Sequence, residues 1–351
     1  MSSIFYRAKA PLRLGFAGGG TDIPEYSENF GGAILNATIS LFAYATIEPL
    51  EERKIVLNSV DKNISVVFPM AEYLEPDGNL DLLKGTYNRI VRDYSRRPLS
   101  FRLSTYVDAP PGSGLGSSST LVVAIVGAFA EWLKLPLGEY DIAHLAYDIE
   151  RVDLRQAGGR QDHFAATFGG FNFMEFSNSS KVLVNPLRIK HEYTSELELN
   201  IVLFYTSVSR YSSAIIEAQS QNIKRSKPDG LNAMHHLKEQ AFRLKEALLT
   251  GNLENIGPIL DYGWQQKKLT ASDVTNPEMD GIYRRAVAAG STGGKISGAG
   301  GGGFFMFYCP GNSRYSVIEA LKEFKGEFRR YNFTEHGLMS WAVKGNENAK
   351  H

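Results

Sequence analysis

The sequence predicts an α+β protein with two lobes, and three observations carry that prediction. Its 351 residues are 43% hydrophobic, enough for a sizeable core and for two domains or one large two-lobed one. Short β-like runs fill much of the first half, whereas from about residue 209 the composition turns helical. Between them, 186–195 is polar and irregular, which puts the boundary there and gives lobes of 1–188 and 189–351. Lys+Arg and Asp+Glu both number 38, so the formal net charge is zero. No basic excess points to nucleic acid or a membrane surface, and a small molecule is the expected partner. The single cysteine, Cys309, lies in an apolar run and has no internal disulfide partner, as suits a core residue in a reducing compartment. The first residues, MSSIFYRAKAPLRLG, contain no apolar signal core. The longest apolar run, 121–133, is too short to span a bilayer and contains Glu131. A soluble, cytoplasmic protein is therefore expected.

In chain order, 4–16 reads as a strand, with Pro11 marking a bend or an edge. Ala17-Gly18-Gly19-Gly20-Thr21-Asp22 follows, a tight turn free of bulky side chains. Asp22 either caps the next short segment or offers a carboxylate to sugar hydroxyls, which are donors it can match. Residues 31–49 form a second strand, 54–59 and 64–68 short β-like segments, 80–94 a helix, and 99–107 a strand. Helices are expected at 121–133 and 138–152. The second carries the apolar stripe Ile142, Leu145, Ala146 and Ile149, with Glu150 just after it. In Gly158-Gly159-Arg160-Gln161-Asp162-His163, Asp162 is either a helix cap or a functional carboxylate. No metal-ligating His/Cys cluster surrounds His163, which reads as structural. Strands at 170–176, 181–184 and 197–205 precede helices at 209–226, 231–249, 253–270 and 277–289. The basic cluster Lys224, Arg225 and Lys227 reads as a solvated helix end. A buried strand at 304–309, a helix at 313–324 and strands at 327–333 and 337–343 close the chain.

The stretch with the most chemistry is Pro110-Pro111-Gly112-Ser113-Gly114-Leu115-Gly116-Ser117-Ser118-Ser119-Thr120, between a strand and a buried helix. Glycines let backbone N–H groups converge on one spot. The helix start adds unpaired N–H groups and the positive dipole end, and the serines add hydroxyls. Two readings stand on the residues alone: a surface loop capped by serine, and a phosphate cradle. A third glycine run, 293–303, mimics a dinucleotide fingerprint through Gly298, Gly300 and Gly303, but a strand follows it instead of a helix. Gly294-Lys295 precedes Ile296, so it is not a Walker A loop either.

These three stretches together resemble the motifs of the GHMP kinases. Pro110, Gly114, Leu115, Gly116, Ser117 and Ser118 match the second motif. Lys295 and 297–303 match the third. Ala10-Pro11-Leu12-Arg13 and Thr21-Asp22 match the first, except that Gly18-Gly19-Gly20 stands where galactokinases carry Gly-Glu-His. The first-motif string is similar to that of the heptose 7-phosphate kinase branch. The resemblance implies a ribosomal protein S5 domain 2-like N-terminal lobe and a ferredoxin-like C-terminal lobe. It implies ATP as phosphoryl donor with Mg²⁺. ATP would be held by Pro110, Gly112, Gly114, Leu115, Gly116, Ser117, Ser118 and Ser119, with Gly298, Gly300 and Gly301 beside the phosphates. Ser118 and Glu150 would hold the metal. Asp162 would face the acceptor hydroxyl as base or orienting group, with Arg13 paired to it. A carboxylate is a weak base toward an alcohol, so proton transfer should come late. Gly20, Thr21 and Asp22 would line the sugar site, and Arg160, with Lys9, is a candidate for a substrate phosphate. The implied substrate is a sugar phosphate, D-glycero-D-manno-heptose 7-phosphate, taking phosphate at its C1 hydroxyl toward a surface polysaccharide. A fucose-type kinase and a non-catalytic sensor remain alternatives, and a homodimer is the open oligomeric option.

Overall fold

The computed structural model describes residues 4–177, 181–207, 212–224 and 228–345. The side chains of the basic cluster Lys224, Arg225 and Lys227 lie outside the described residues, as does the predicted helix start at 209. Strand β1 (Ile4–Ala17) leads through the first glycine turn to a short helix α1 (Pro24–Phe30) and the long strand β2 (Gly32–Pro49). Pro11 neither ends β1 nor marks a sheet edge. The β1–β2 register shifts between Pro11 and Leu12, a bulge that accommodates a residue without an N–H. Strands β3 (Lys54–Ser59) and β4 (Ile64–Pro69), helix α2 (Asp81–Ile90) and strand β5 (Phe101–Val107) follow. Helix α3 (Ser117–Leu133) starts four residues earlier than expected, so the serines form its first turn. Its residues 119–129 are all buried, against β1 and β2 among others. Helix α4 (Glu139–Tyr147) runs into a π-helical turn, Asp148–Asp153, that carries Glu150. Helix α5 (Gln161–Phe168) and strands β6 (Phe171–Phe176) and β7 (Val182–Pro186) complete this part of the chain.

The irregular boundary and the strand expected from 197 give way to helix α6 (His191–Asn200), with strand β8 (Ile201–Tyr205) starting only afterwards. Leu197 is fully buried and Leu199 is 52% exposed. They lie on a helix whose only other buried residue is Asn200, so the strand begins only at Ile201. Helices α7 (Ser212–Lys224), α8 (Pro228–Thr250), α9 (Ile256–Thr270) and α10 (Pro277–Ala288) come next. Strands β9 (Gly293–Ile296) and β10 (Phe304–Tyr308), helix α11 (Ser313–Leu321) and strands β11 (Glu327–Phe328) and β12 (Met339–Lys344) end the described chain. The strand expected over 327–333 shrinks to two residues.

The larger sheet has the order β12-β1-β2-β5-β3-β4, and the first half of β2 also pairs with β6, which pairs with β7. Its pairs are antiparallel except β3 with β5. The last strand, β12, returns to pair with β1, so the two ends of the chain share one sheet. The second sheet is antiparallel, in the order β11-β8-β10-β9. A separate core of Val202, Phe204, Trp264, Ile282, Phe305 and Phe307 backs it. Cys309 is part of that core, and burial pushes its thiol pKa up to about 12.

Candidate functional site

The second and third glycine loops are pressed together, backbone to backbone. Gly114 has φ +78°, and a Cβ there would lie 2.1 Å from the Ser297 carbonyl oxygen. A Cβ on Gly303 would lie 2.4 Å from the carbonyl oxygen of Ser113. That same carbonyl accepts the Phe304 N–H at 3.0 Å. Glycine is therefore required by close approach, not by flexibility alone. The Gly114 carbonyl accepts from the Ser297 hydroxyl at 3.0 Å and from Arg13 Nη1 at 2.5 Å. Arg13 also reaches this loop through its own N–H, which donates to Leu115 at 3.1 Å. Strand β1 thus pins both loops at the N-terminus of α3, where the N–H groups of Ser117, Ser118 and Ser119 have no partner within the helix. That end carries the positive side of the helix dipole.

Arg13 is 3% exposed. Its Nε donates to Asp162 Oδ1 at 2.7 Å, and Nη2 lies 2.7 Å from the same oxygen. Asp162 stands in the first turn of α5, and its Oδ2 points at Gly116, where a Cβ would lie 3.1 Å away. The clamp on Oδ1 leaves Oδ2 for a ligand on the phosphate-loop side. Glu150 is 1% exposed and is the hub of a polar cluster. Ser118 donates to Oε1 at 2.5 Å and Ser119 to Oε2 at 2.7 Å. His163 Nε2 lies 2.7 Å from Oε2, and Arg151 Nη1 lies 3.3 Å from Oε1. Burial alone would raise the Glu150 pKa. The Arg151 charge, His163 and the Ser118 hydrogen bond outweigh it and hold the carboxyl well below the usual carboxylate range. His163, read as structural, is one of the four side chains that hold this carboxylate.

Asp22, 2% exposed, accepts the Gln161 N–H at 3.0 Å. Burial raises its pKa, partly offset by that hydrogen bond, and the Asp162 charge raises it further. A Cβ on Gly159 would fall 1.9 Å from Asp22 Oδ2, so the carboxylate depends on that glycine for room. Two lysines that the sequence did not single out as site residues share this region. Lys267 on α9 donates to the Gly19 carbonyl at 3.0 Å, and Lys295 on β9 donates to the Gly15 carbonyl at 2.6 Å. Burial lowers both their pKa values, that of Lys267 to about 8. Lys267 has a sequence signal after all: it lies three residues beyond Trp264 on the buried stripe of α9, where a charge is out of place.

One cavity of about 860 Å³ joins these groups. Arg13, Asp22, Glu150, Asp162, Lys267 and Lys295 line it. So do Gly20, Gly112, Gly114, Gly116, Ser117, Ser118, Ser119 and Gly298. Its apolar lining includes Leu80, Leu83, Val107, Ala109 and Leu121, which no motif had indicated. Several expected residues lie outside its lining. Thr21 is fully buried, with its hydroxyl donating to the Ala33 carbonyl and accepting the Ala33 N–H. Leu115 is a core residue. Gly300 and Gly301 pack on Val274, whose carbonyl accepts the Gly301 N–H. Pro110 sits behind its neighbour Pro111, which does reach the cavity. Arg160 pairs with Glu28 at 3.0 Å and lies over the Tyr147 ring. Lys9 lies over Phe42.

Comparison with known proteins gives a consistent result. The GHMP kinases N terminal domain matches residues 81–170, and the GHMP kinases C terminal domain matches 244–326. The chain is 48% identical over 337 residues to a D-glycero-alpha-D-manno-heptose 7-phosphate kinase of Campylobacter jejuni, covering 96% of this chain and 99% of that protein. Among solved structures, a D-glycero-D-manno-heptose 1-phosphate kinase from Bacteriodes thetaiotaomicron superposes with TM-score 0.82 at 43% identity, covering 97% of this chain and all of that one. Lactococcus lactis galactokinase, at 20% identity and TM-score 0.78 over 95% of both chains, shares the fold.

Proposed function

The chain belongs to the GHMP kinase family, and from that premise we propose that it transfers the γ-phosphate of ATP to the C1 hydroxyl of D-glycero-D-manno-heptose 7-phosphate. The observation that carries the reading is the Asp162 carboxylate. It is clamped through one oxygen by Arg13 and turns the other toward the phosphate loop, with Asp22 in the same cavity.

Phosphoryl transfer asks a protein for position and charge more than for covalent chemistry. In our reading the first-turn N–H groups of α3 and the loop before it receive the triphosphate. The apolar end near Leu80, Leu83 and Val107 receives the base. Asp162 Oδ2 accepts the hydrogen of the C1 hydroxyl and takes its proton late, while Arg13 keeps the carboxylate oriented and offsets charge on the developing alkoxide. Asp22 accepts hydrogen bonds from ring hydroxyls, which would replace the water it has lost.

A Mg²⁺ ion fits the residues present. Glu150 is held ionised beside Ser118 at the mouth of the phosphate loop, and both are oxygen donors. Among the described residues there is no group of three His, Cys, Asp or Glu side chains that would cage a metal. One or two protein oxygens plus substrate phosphates is the usual Mg²⁺ arrangement. Ser118 and Glu150 would hold it, and its chemistry there is neutralisation of phosphate charge. No described helix is long and apolar enough to cross a membrane, and we place the reaction in the cytoplasm, as one step toward an activated heptose for surface polysaccharide. The two lobes we assign are 1–188 and 189–351, with β12 returned to the first sheet.

The test is mass spectrometry and ³¹P NMR of products from ATP with heptose 7-phosphate, heptose 1-phosphate, free heptose and fucose. A new anomeric phosphate formed preferentially from heptose 7-phosphate supports the proposal. Phosphate placed on C7 of the 1-phosphate, or on fucose, overturns it, and tight binding of both ligands with no ADP formed would make the protein a sensor.

A further inference from the structure

Lys267 is an enclosed ammonium with no carboxylate in direct contact, stabilised only at longer range by the charge of Asp22. It is 4% exposed, and among the described residues no carboxylate lies within 4.0 Å of its Nζ. Among the described residues its one hydrogen bond runs to the Gly19 carbonyl, so two of its three N–H donors have no described partner. Lys295, 4% exposed, is placed alike, and the charges of Lys267 and Arg13 both bear on it. Arg13, Lys267 and Lys295 line one cavity with Asp22, Glu150, Asp162 and Glu217, but among the described residues only Arg13 of the three cations is in a salt bridge, to Asp162. A buried cation in that position stays costly until an anion joins it.

The surroundings leave room for that anion. Gly18-Gly19-Gly20 replaces the Gly-Glu-His of galactokinases, so the turn projects no side chain. A Cβ on Gly19 would meet nothing within 4 Å. A Cβ on Gly20 would lie 3.2 Å from Lys267 Nζ and 3.7 Å from Gln219 Oε1. The backbone places the charged groups near one another: Asp22 accepts the N–H of Gln161, the residue before Asp162, and Lys267 bonds Gly19, three residues before Asp22. A sugar with its acceptor hydroxyl at Asp162 and its ring hydroxyls at Asp22 would point its far end at Lys267. Arg160 and Lys9, the cations that the sequence offered for a substrate phosphate, are turned to Glu28 and Phe42 instead.

We propose that Lys267 is the specificity-determining residue that binds the substrate's distal phosphate, in the space left by the Gly19-Gly20 turn, with Lys295 adding to the positive field. This rests on the sugar-phosphate reading above. The test compares kcat/KM for heptose 7-phosphate and for unphosphorylated heptose in wild type and Lys267→Met, at saturating ATP. The ratio of the two should fall roughly thirtyfold or more in the variant, mainly through KM for the phosphorylated sugar, as expected for loss of a buried charge-assisted contact. Gly19→Asp, at a position with open space for the side chain, puts a negative charge in the same turn and should lower the ratio in the same direction. If wild type prefers heptose 7-phosphate and both variants keep that preference within threefold, Lys267 is not the phosphate site and the substrate assignment stands. If wild type shows no preference, the substrate assignment fails and this proposal with it.

Discussion

Gly114→Ala probes the seam that holds the site together. Alanine at φ +78° costs about 1–2 kcal/mol in backbone strain. Its Cβ would lie 2.1 Å from the Ser297 carbonyl oxygen, so the two loops must separate by about 1 Å. That separation stretches the Ser297 hydroxyl contact, of order 1 kcal/mol, and the charge-assisted Arg13 contact, about 1.5–3 kcal/mol, both made to the Gly114 carbonyl. With partial relaxation the whole is about 4 kcal/mol. For a chain of 351 residues this corresponds to a fall in Tm of about 5 °C. Because Arg13 also clamps Asp162, the shift should reach the chemistry. Calorimetry and steady-state kinetics read both effects: KM for ATP should rise at least tenfold and kcat should fall with it. An unchanged Tm with KM for ATP within twofold of wild type would refute the idea that loop contact, rather than loop composition, builds the phosphate site.

Other expectations follow from the same contacts. Glu150→Gln weakens the acceptor shared by Ser118, Ser119 and His163, and the Mg²⁺ concentration for half-maximal rate should rise at least tenfold; an unaltered Mg²⁺ titration would remove Glu150 from the metal site. Lys267 loses its proton near pH 8 in the folded protein against an ordinary 10.5, with Asp22 and Lys295 the charged groups facing it. Between those pH values the unfolded chain binds more protons at this site, so its contribution to stability rises with pH, by up to about 3 kcal/mol. The stability of wild type relative to Lys267→Met, from denaturant titrations at pH 7.5 and 10, should therefore increase, and a flat difference would contradict it. Gly281→Ala lies inside α10, outside the cavity lining, and its Cβ would make an ordinary 3.8 Å contact with Phe324. It should add about 0.5–1 kcal/mol to stability at unchanged activity, and a loss of stability would show that the helix needs glycine there.

Much of this was legible in the sequence because the three glycine runs are local signals that a turn or a close approach demands. The meeting of Arg13 with Asp162, 149 positions apart, was not local, and came only through the resemblance of the motifs. Charge type alone misplaced Arg160 and Lys9, since a cation's partner depends on which element packs beside it: Glu28 for one, the Phe42 ring for the other. Thr21 was expected at the sugar, but its hydroxyl is consumed by the Ala33 backbone across the turn. Lys267 belongs to no motif, and only its place on the buried stripe of α9, beside Trp264, marks it. The return of β12 to β1 is a long-range pairing that strand propensity does not encode.

The central claim is that the Asp162 carboxylate serves the acceptor hydroxyl beside the bound triphosphate. Its most direct measurement is single-turnover phosphoryl transfer by Asp162→Asn, with ATP and heptose 7-phosphate binding checked separately by calorimetry. The account predicts ATP affinity within a few-fold of wild type and a transfer rate reduced by about 10²–10⁴. A variant that binds both ligands and transfers phosphate at the wild-type rate would contradict it.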